Sequence, residues 1–204
     1  MIKRLALLIH GFNVWDGGRA TIGKLQPLLV AQGISCILVN YGYLGLAGTY
    51  AKNKKIARNV TLSLKAAKLA GYQVTAFGHS NGCAILDIAT HTYKAPLHKA
   101  VYINPALDKD RERSSTVDFI DVWHSESDKP VKWSKHLPFH PWGEMGAVGY
   151  QGPPDESVRN FDKQHGYQLS SKAHSDVFDI KLLPFFGEKV IHNAFTGASM
   201  DTAS

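Results

Sequence analysis

Leu5-Ala6-Leu7-Leu8-Ile9 is an unbroken apolar run of strand length near the start of the chain. A run this short and this continuous suits a strand buried on both faces. Ile34 to Val39, Gln73 to Phe77, Ala100 to Ile103, Val117 to Trp123 and Val158 to Phe161 read as further strands. Helical segments lie between them. One runs from about Arg19 to Ala31 and is ended by Gly33. Another covers residues 50–70, where Ile56, Val60 and Leu64 recur at i, i+4, i+8 while Lys54, Lys55, Arg58, Lys65 and Lys68 are mostly directed elsewhere; Gly71 closes it. Cys83 to His91 is a third, and Ser175 to Phe186 a final helix interrupted by Pro184. Strands alternating with helices imply βαβ units. The expected fold class is therefore α/β: a mostly parallel sheet of about six strands with helices on both faces.

Composition agrees and removes other classes. The 204 residues are 44% hydrophobic and 20% charged, which excludes a disordered, collagen-like or coiled-coil chain and suits a single domain over residues 1–204. Cys36 and Cys83 lie inside apolar runs and form no CxxC pair, so a disulfide framework or zinc ribbon is excluded. No phosphate loop and no G-x-G-x-x-G occurs, so no nucleotide cofactor is expected. His136, His140 and Glu144 have a spacing that would suit a metal on a helix, but Pro138 and Pro141 break that helix, and no metal is expected. The apolar run after Lys3 and Arg4 is too short for a membrane span or a signal peptide, and the expected location is cytoplasmic. The formal net charge is +6. The basic excess falls in the first 86 residues, above all in the helix at 50–70, whose charge would favour weak contact with an anionic surface. The bases are not interleaved with stacking aromatics, and nucleic acid is not an expected partner.

The alternation breaks between about residues 129 and 157, where Trp, Pro and Gly crowd together. Prolines and glycines at this density prevent a long helix, and a long irregular segment inside a domain usually serves a site. Trp133 and Trp142 are its substrate-facing candidates.

Gly78-His79-Ser80-Asn81-Gly82 stands between a strand and a helix, the context in which G-x-S-x-G carries a nucleophile. A tight turn lifts the serine above the sheet edge. Only glycine at Gly78 and Gly82 leaves room for the neighbouring chain. The helix N-terminus that follows favours developing negative charge. A serine hydroxyl needs a base, and the base needs an orienting acid. Asp128 lies just past the strand Val117 to Trp123, in a turn closed by Pro130; Glu126, Asp121 and Asp108 are rivals. His174 precedes the last helix; His165 and His192 compete with it. Backbone N–H groups of Asn81, after the nucleophile, and of Phe12, after the first strand, are the expected oxyanion donors. His10, Gly11 and His79 support that turn rather than react.

His10-Gly11-Phe12, Gly78-His79-Ser80-Asn81-Gly82, Asp128-Lys129-Pro130-Val131 and His174-Ser175 occur in one order that resembles the α/β-hydrolase family. With the first strand at residue 5, the two leading strands usual in that family are missing, and the chain looks like its minimal members: small lipases, cutinases and short bacterial or phage hydrolases. The resemblance implies a Ser80–His174–Asp128 triad and a cofactor-free serine hydrolase. The expected substrate is a small-molecule, lipid or polymer ester with an apolar acyl part. A thioesterase or amidase on the same triad, and an inactive hydrolase-fold binding module, are the competing readings.

Overall fold

The expected runs become strands of one sheet in the computed structural model, which describes residues 2–128, 142–167 and 174–196. The strands are β1 (Lys3–Ile9), β2 (Ser35–Val39), β3 (Tyr72–His79), β4 (Leu97–Ile103), β5 (Val117–Trp123) and β6 (Val158–Phe161). They lie in the order β2-β1-β3-β4-β5-β6, and every neighbouring pair is parallel. The helices are α1 (Leu25–Ala31), α2 (Leu46–Leu69), α3 (Asn81–His91), α4 (Met145–Val148) and α5 (Leu183–Thr196). Among the described residues, no helix is long and apolar enough to cross a membrane.

Alternation along each strand feeds two cores. Leu5, Leu7, Ile9, Val74, Ala76, Ala100, Tyr102, Ile120 and Val122 pack with α2 and α3. Ala6, Leu8, Phe77, Val101, Ile103, Trp123 and Phe161 pack with α1 and α5. The chain leaves β1 toward β2 through α1 on one face, then returns toward β3 through α2 on the other. The order therefore reverses between β1 and β3, and at such a switch the carboxyl ends of a parallel sheet open a crevice. The register keeps those ends level: Ile9 lies beside Gly78, His79 beside Ile103, Ile103 beside Trp123, and Trp123 beside Phe161.

Several helix boundaries differ from expectation. The first helical turn starts at Ile22 rather than near Arg19, because the Asp16 carboxylate accepts from the N–H groups of Gly18 and Ala20 and holds a non-helical turn there. The basic helix begins earlier, at Leu46; Gly45 and Gly48 mask its first turn in the sequence. At the C-terminus, Asp176–Phe178 forms a single 3-10 turn and α5 starts only at Leu183. Pro184 opens that helix instead of interrupting it, since the missing N–H costs nothing in the first turn.

Candidate active site

β3 hands the chain to α3 through Ser80, whose φ is 55° and ψ −122°. Positive φ is rare for a residue with a side chain and is held only by surrounding structure. Here the Ser80 N–H donates to the Ile103 carbonyl at 3.0 Å and the Cys83 N–H to the Ser80 carbonyl at 3.0 Å. The flanking glycines are required by contact. A Cβ on Gly82 would lie 2.3 Å from the Ile9 carbonyl oxygen, and one on Gly78 would lie 2.8 Å from the Cys83 nitrogen. α3 thus starts pressed against the end of β1. Gly11 lies close enough that its own Cβ would meet Ser80 Cβ at 3.1 Å.

Asp128 and His174, 46 positions apart, meet at the same rim. His174 Nδ1 lies 2.9 and 2.8 Å from the two Asp128 oxygens, and the carboxylate is fully buried. Nδ1–H donates to the acid in this arrangement, which fixes the tautomer and leaves Nε2 as the acceptor. Two groups beside Ser80 hold the His174 main chain. Asn104 Nδ2 donates to its carbonyl at 2.7 Å, and His79 Nε2 to the same oxygen at 3.3 Å. The His79 and His174 rings are 4.9 Å apart. Among the described residues, Ser80 Oγ makes no hydrogen bond to the His174 ring; in free enzymes such bonds are often long and tighten only with substrate.

His79 is buried, and desolvation, with the charge of His174 acting the same way, pushes its pKa down to about 3. Burial thus favours its neutral form. His10 is lowered as well, again mainly by burial. Its ring stacks on Tyr41 at 3.8 Å, and its Nδ1 lies 2.8 Å from the Gly11 carbonyl. Cys83 is buried and burial raises its thiol, which keeps it in the inert protonated form.

Neither the Phe12 nor the Asn81 N–H has a hydrogen-bond acceptor among the described residues. Trp142 is buried: its indole packs 4.6 Å from the Phe12 ring and its Nε1 donates to Asn81 Oδ1 at 3.1 Å. Trp133, His136 and His140 lie outside the described residues. Two of the rivals are engaged elsewhere: Asp121 with Lys99 and Arg159, and His165 with Asp162. Among the described residues no group of three or more His, Cys, Asp or Glu could hold a metal.

Three residues that motif reading misses support the site. Asn53 on α2 pairs with the side chain of Asn81. Tyr41 after β2 bonds the loop after β1. Asn104, at φ 46°, bonds His174 and accepts from Tyr167 Oη at 2.7 Å. For Asn53 the available signal was its spacing: it falls on the inward stripe that continues through Ile56, Val60 and Leu64. For Asn104 it was an asparagine at a strand end, the residue type most tolerant of left-handed backbone.

No protein-family model matches the sequence, and no curated protein matches it. Solved structures do. A protein of Xanthomonas campestris pv. campestris named as a hydrolase of the alpha/beta superfamily aligns with a TM-score of 0.55 at 13% identity, over 92% of this chain and 95% of its own. A protein of Thermoplasma acidophilum named as a predicted CIB-like hydrolase aligns with a TM-score of 0.50 at 15% identity, over 93% and 85%. With the parallel strand order and the serine turn between β3 and α3, these near full-length likenesses give the chain the α/β-hydrolase fold.

Proposed function

We propose that the protein is a serine hydrolase that cleaves a carboxylic ester through an acyl-enzyme. The observation that carries this reading is the buried Asp128–His174 pair at 2.8 Å, with the His174 carbonyl tied to Asn104 and His79 on either side of Ser80. In this reaction His174 Nε2 takes the Ser80 proton as Oγ attacks the ester carbonyl carbon. Asp128 keeps the imidazole in its tautomer and stabilises the cation that forms. The Phe12 and Asn81 N–H groups receive the oxyanion, aided by the N-terminus of α3. The tetrahedral intermediate expels the alcohol, which takes the proton from His174. Water, deprotonated by His174, then attacks the acyl carbon and frees the acid and Ser80. No step needs a cofactor. The apolar Phe12–Trp142 contact beside the donors favours an apolar acyl group.

The test is turnover of p-nitrophenyl esters of graded chain length by the wild type and by Ser80→Ala. The wild type is expected to hydrolyse at least the acetate or butyrate, and Ser80→Ala to lose roughly 10⁴-fold or more in kcat. Equal rates for the two proteins would overturn the assignment of Ser80.

A further inference from the structure

Asn53 occupies a position where α2 turns its apolar stripe inward, beside Ile56, Ala57, Val60, Thr61 and Leu64, and it is itself only 5% exposed. A buried amide without partners is costly, so its bonding has to be complete. Its partner is the side chain of Asn81. Asn53 Nδ2 donates to Asn81 Oδ1 at 2.9 Å, and Asn81 Nδ2 donates back to Asn53 Oδ1 at 3.1 Å. The direction of this pair is fixed by a third group. Trp142 Nε1 can only donate, so the Asn81 atom it meets at 3.1 Å is the oxygen. The orientation of Asn53 follows.

The network continues to the opposite wall. On that side the Tyr41 hydroxyl holds the loop after β1. That hydroxyl lies 2.5 Å from the His10 carbonyl and 2.7 Å from the Gly11 carbonyl. Asn81 and the segment His10-Gly11-Phe12 are the two places that carry the unbonded N–H groups. The Asn53–Asn81 pair ties the first of these places to α2, and Tyr41 holds the second. Trp142 bridges the two by bonding Asn81 and packing on Phe12.

We infer that Asn53 is a positioning residue: its reciprocal amide pair with Asn81, continued through Trp142 to Phe12, sets the two backbone N–H donors at the spacing a tetrahedral oxyanion requires. This rests on the serine-hydrolase reading of the same site. Stabilisation of developing charge depends on donors already aimed at its final position, and small misplacement of a reacting constellation is expensive in rate. The hydrogen bonds of Asn53 go to Asn81 and not to Ser80, Asp128 or His174, so its loss acts first on the donors.

The test uses Asn53→Leu, which keeps the volume and removes the hydrogen bonds, with Asn53→Ala and Trp142→Phe beside it. Each is assayed for ester turnover and for inhibition by an alkylboronic acid, which becomes tetrahedral on a serine hydroxyl. In Asn53→Leu, kcat is expected to fall roughly 10- to 100-fold, less than the ~10²–10³ for losing a donor outright, with KM nearly unchanged. The boronate inhibition constant is expected to rise in the same proportion. Trp142→Phe, which removes one donor from the network and keeps the ring, is expected to move both quantities in the same direction by a smaller factor. If the Asn53 variants do not fold, Trp142→Phe decides alone. A folded variant with unchanged kcat and unchanged boronate affinity overturns the inference, and so does a rise in KM at constant kcat. A wild type with no turnover and no reaction at Ser80 instead removes the serine-hydrolase reading itself. An active wild type with unaffected variants removes only the role of Asn53.

Discussion

Gly82 shows how a single atom decides whether the serine turn exists. Any side chain there would begin 2.3 Å from the Ile9 carbonyl oxygen and 2.7 Å from that of His10, both backbone atoms of a central strand end that cannot give way. Gly82→Ala is expected to destabilise the protein at or above the upper end of the ~1–3 kcal/mol typical of overpacking, read as a lower urea midpoint. Gly78→Ala is expected to cost less, because its nearest contacts are 2.8 Å and beyond. His79 makes a prediction about acid. Its pKa is about 3 in the folded chain against an ordinary 6.5, so below pH 6.5 the unfolded chain takes a proton that the folded chain refuses. Stability should fall as pH drops from about 6.5 toward 3, by up to ~1.4 kcal/mol per pH unit for this group. His10 and His124, also lowered by burial, add to the same slope. Urea denaturation at stepped pH should show it, and His79→Gln should flatten it; an identical slope in the variant would place the acid sensitivity elsewhere. Gly78, Ser80 and Gly82 were legible because their chemistry is local and their spacing is fixed. Asn53 was not. An asparagine between Lys52 and Lys54 reads as solvated, and only the helix phase that carries it inward reveals the contact with Asn81.

Between elements, the face under α5 carries an ionic cluster inside the apolar layer. Lys99 on β4 and Asp121 on β5 are fully buried, 3.5 Å apart. Arg159 on β6 meets Asp121 through Nε at 2.9 Å and Nη2 at 3.0 Å. Lys99 also donates to the Asn193 carbonyl of α5 at 3.0 Å. The cluster ties three strands to the last helix, next to the strand that leads to Asp128. Asp121→Leu leaves the Lys99 ammonium buried without its carboxylate and should cost about 3–5 kcal/mol. Adding Lys99→Met should restore much of that loss, because the double variant has no unpaired buried charge at Lys99. Equal midpoints for Asp121→Leu and the wild type would show that the charges are not coupled. This cluster could not be read in advance. Within strands of mixed sequence, Lys99 and Asp121 look like ordinary surface residues until the register brings them together. The strands themselves were legible from short apolar runs. The limits of α1 and α5 were not, because Asp16 and Pro184 act through local hydrogen bonding that periodicity does not record.

Across the whole molecule, the parallel register brings residues 80, 128 and 174 to one rim and the strand reversal opens that rim between β1 and β3. The six bases Lys52, Lys54, Lys55, Arg58, Lys65 and Lys68 all stand on the exposed side of α2, opposite its inward stripe. That placement explains how so basic a helix packs without buried charge. The expected chain order of Ser80, Asp128 and His174 came from the serine motif and the family it resembles. The meeting of Asp128 with His174 could not be read there, since it depends on how Asn104 and His79 hold the His174 carbonyl. Asp128→Asn should test that alignment. It keeps the shape but loses the tautomer control, and a fall of roughly 10⁴-fold in kcat is expected. The central claim, that Ser80 is an activated nucleophile, is tested most directly by a fluorophosphonate probe followed by peptide mapping. The account predicts one label per chain, on Ser80, absent in Ser80→Ala and strongly slowed in His174→Ala. A wild type that takes no label, or takes it at another residue with Ser80 untouched, would contradict it.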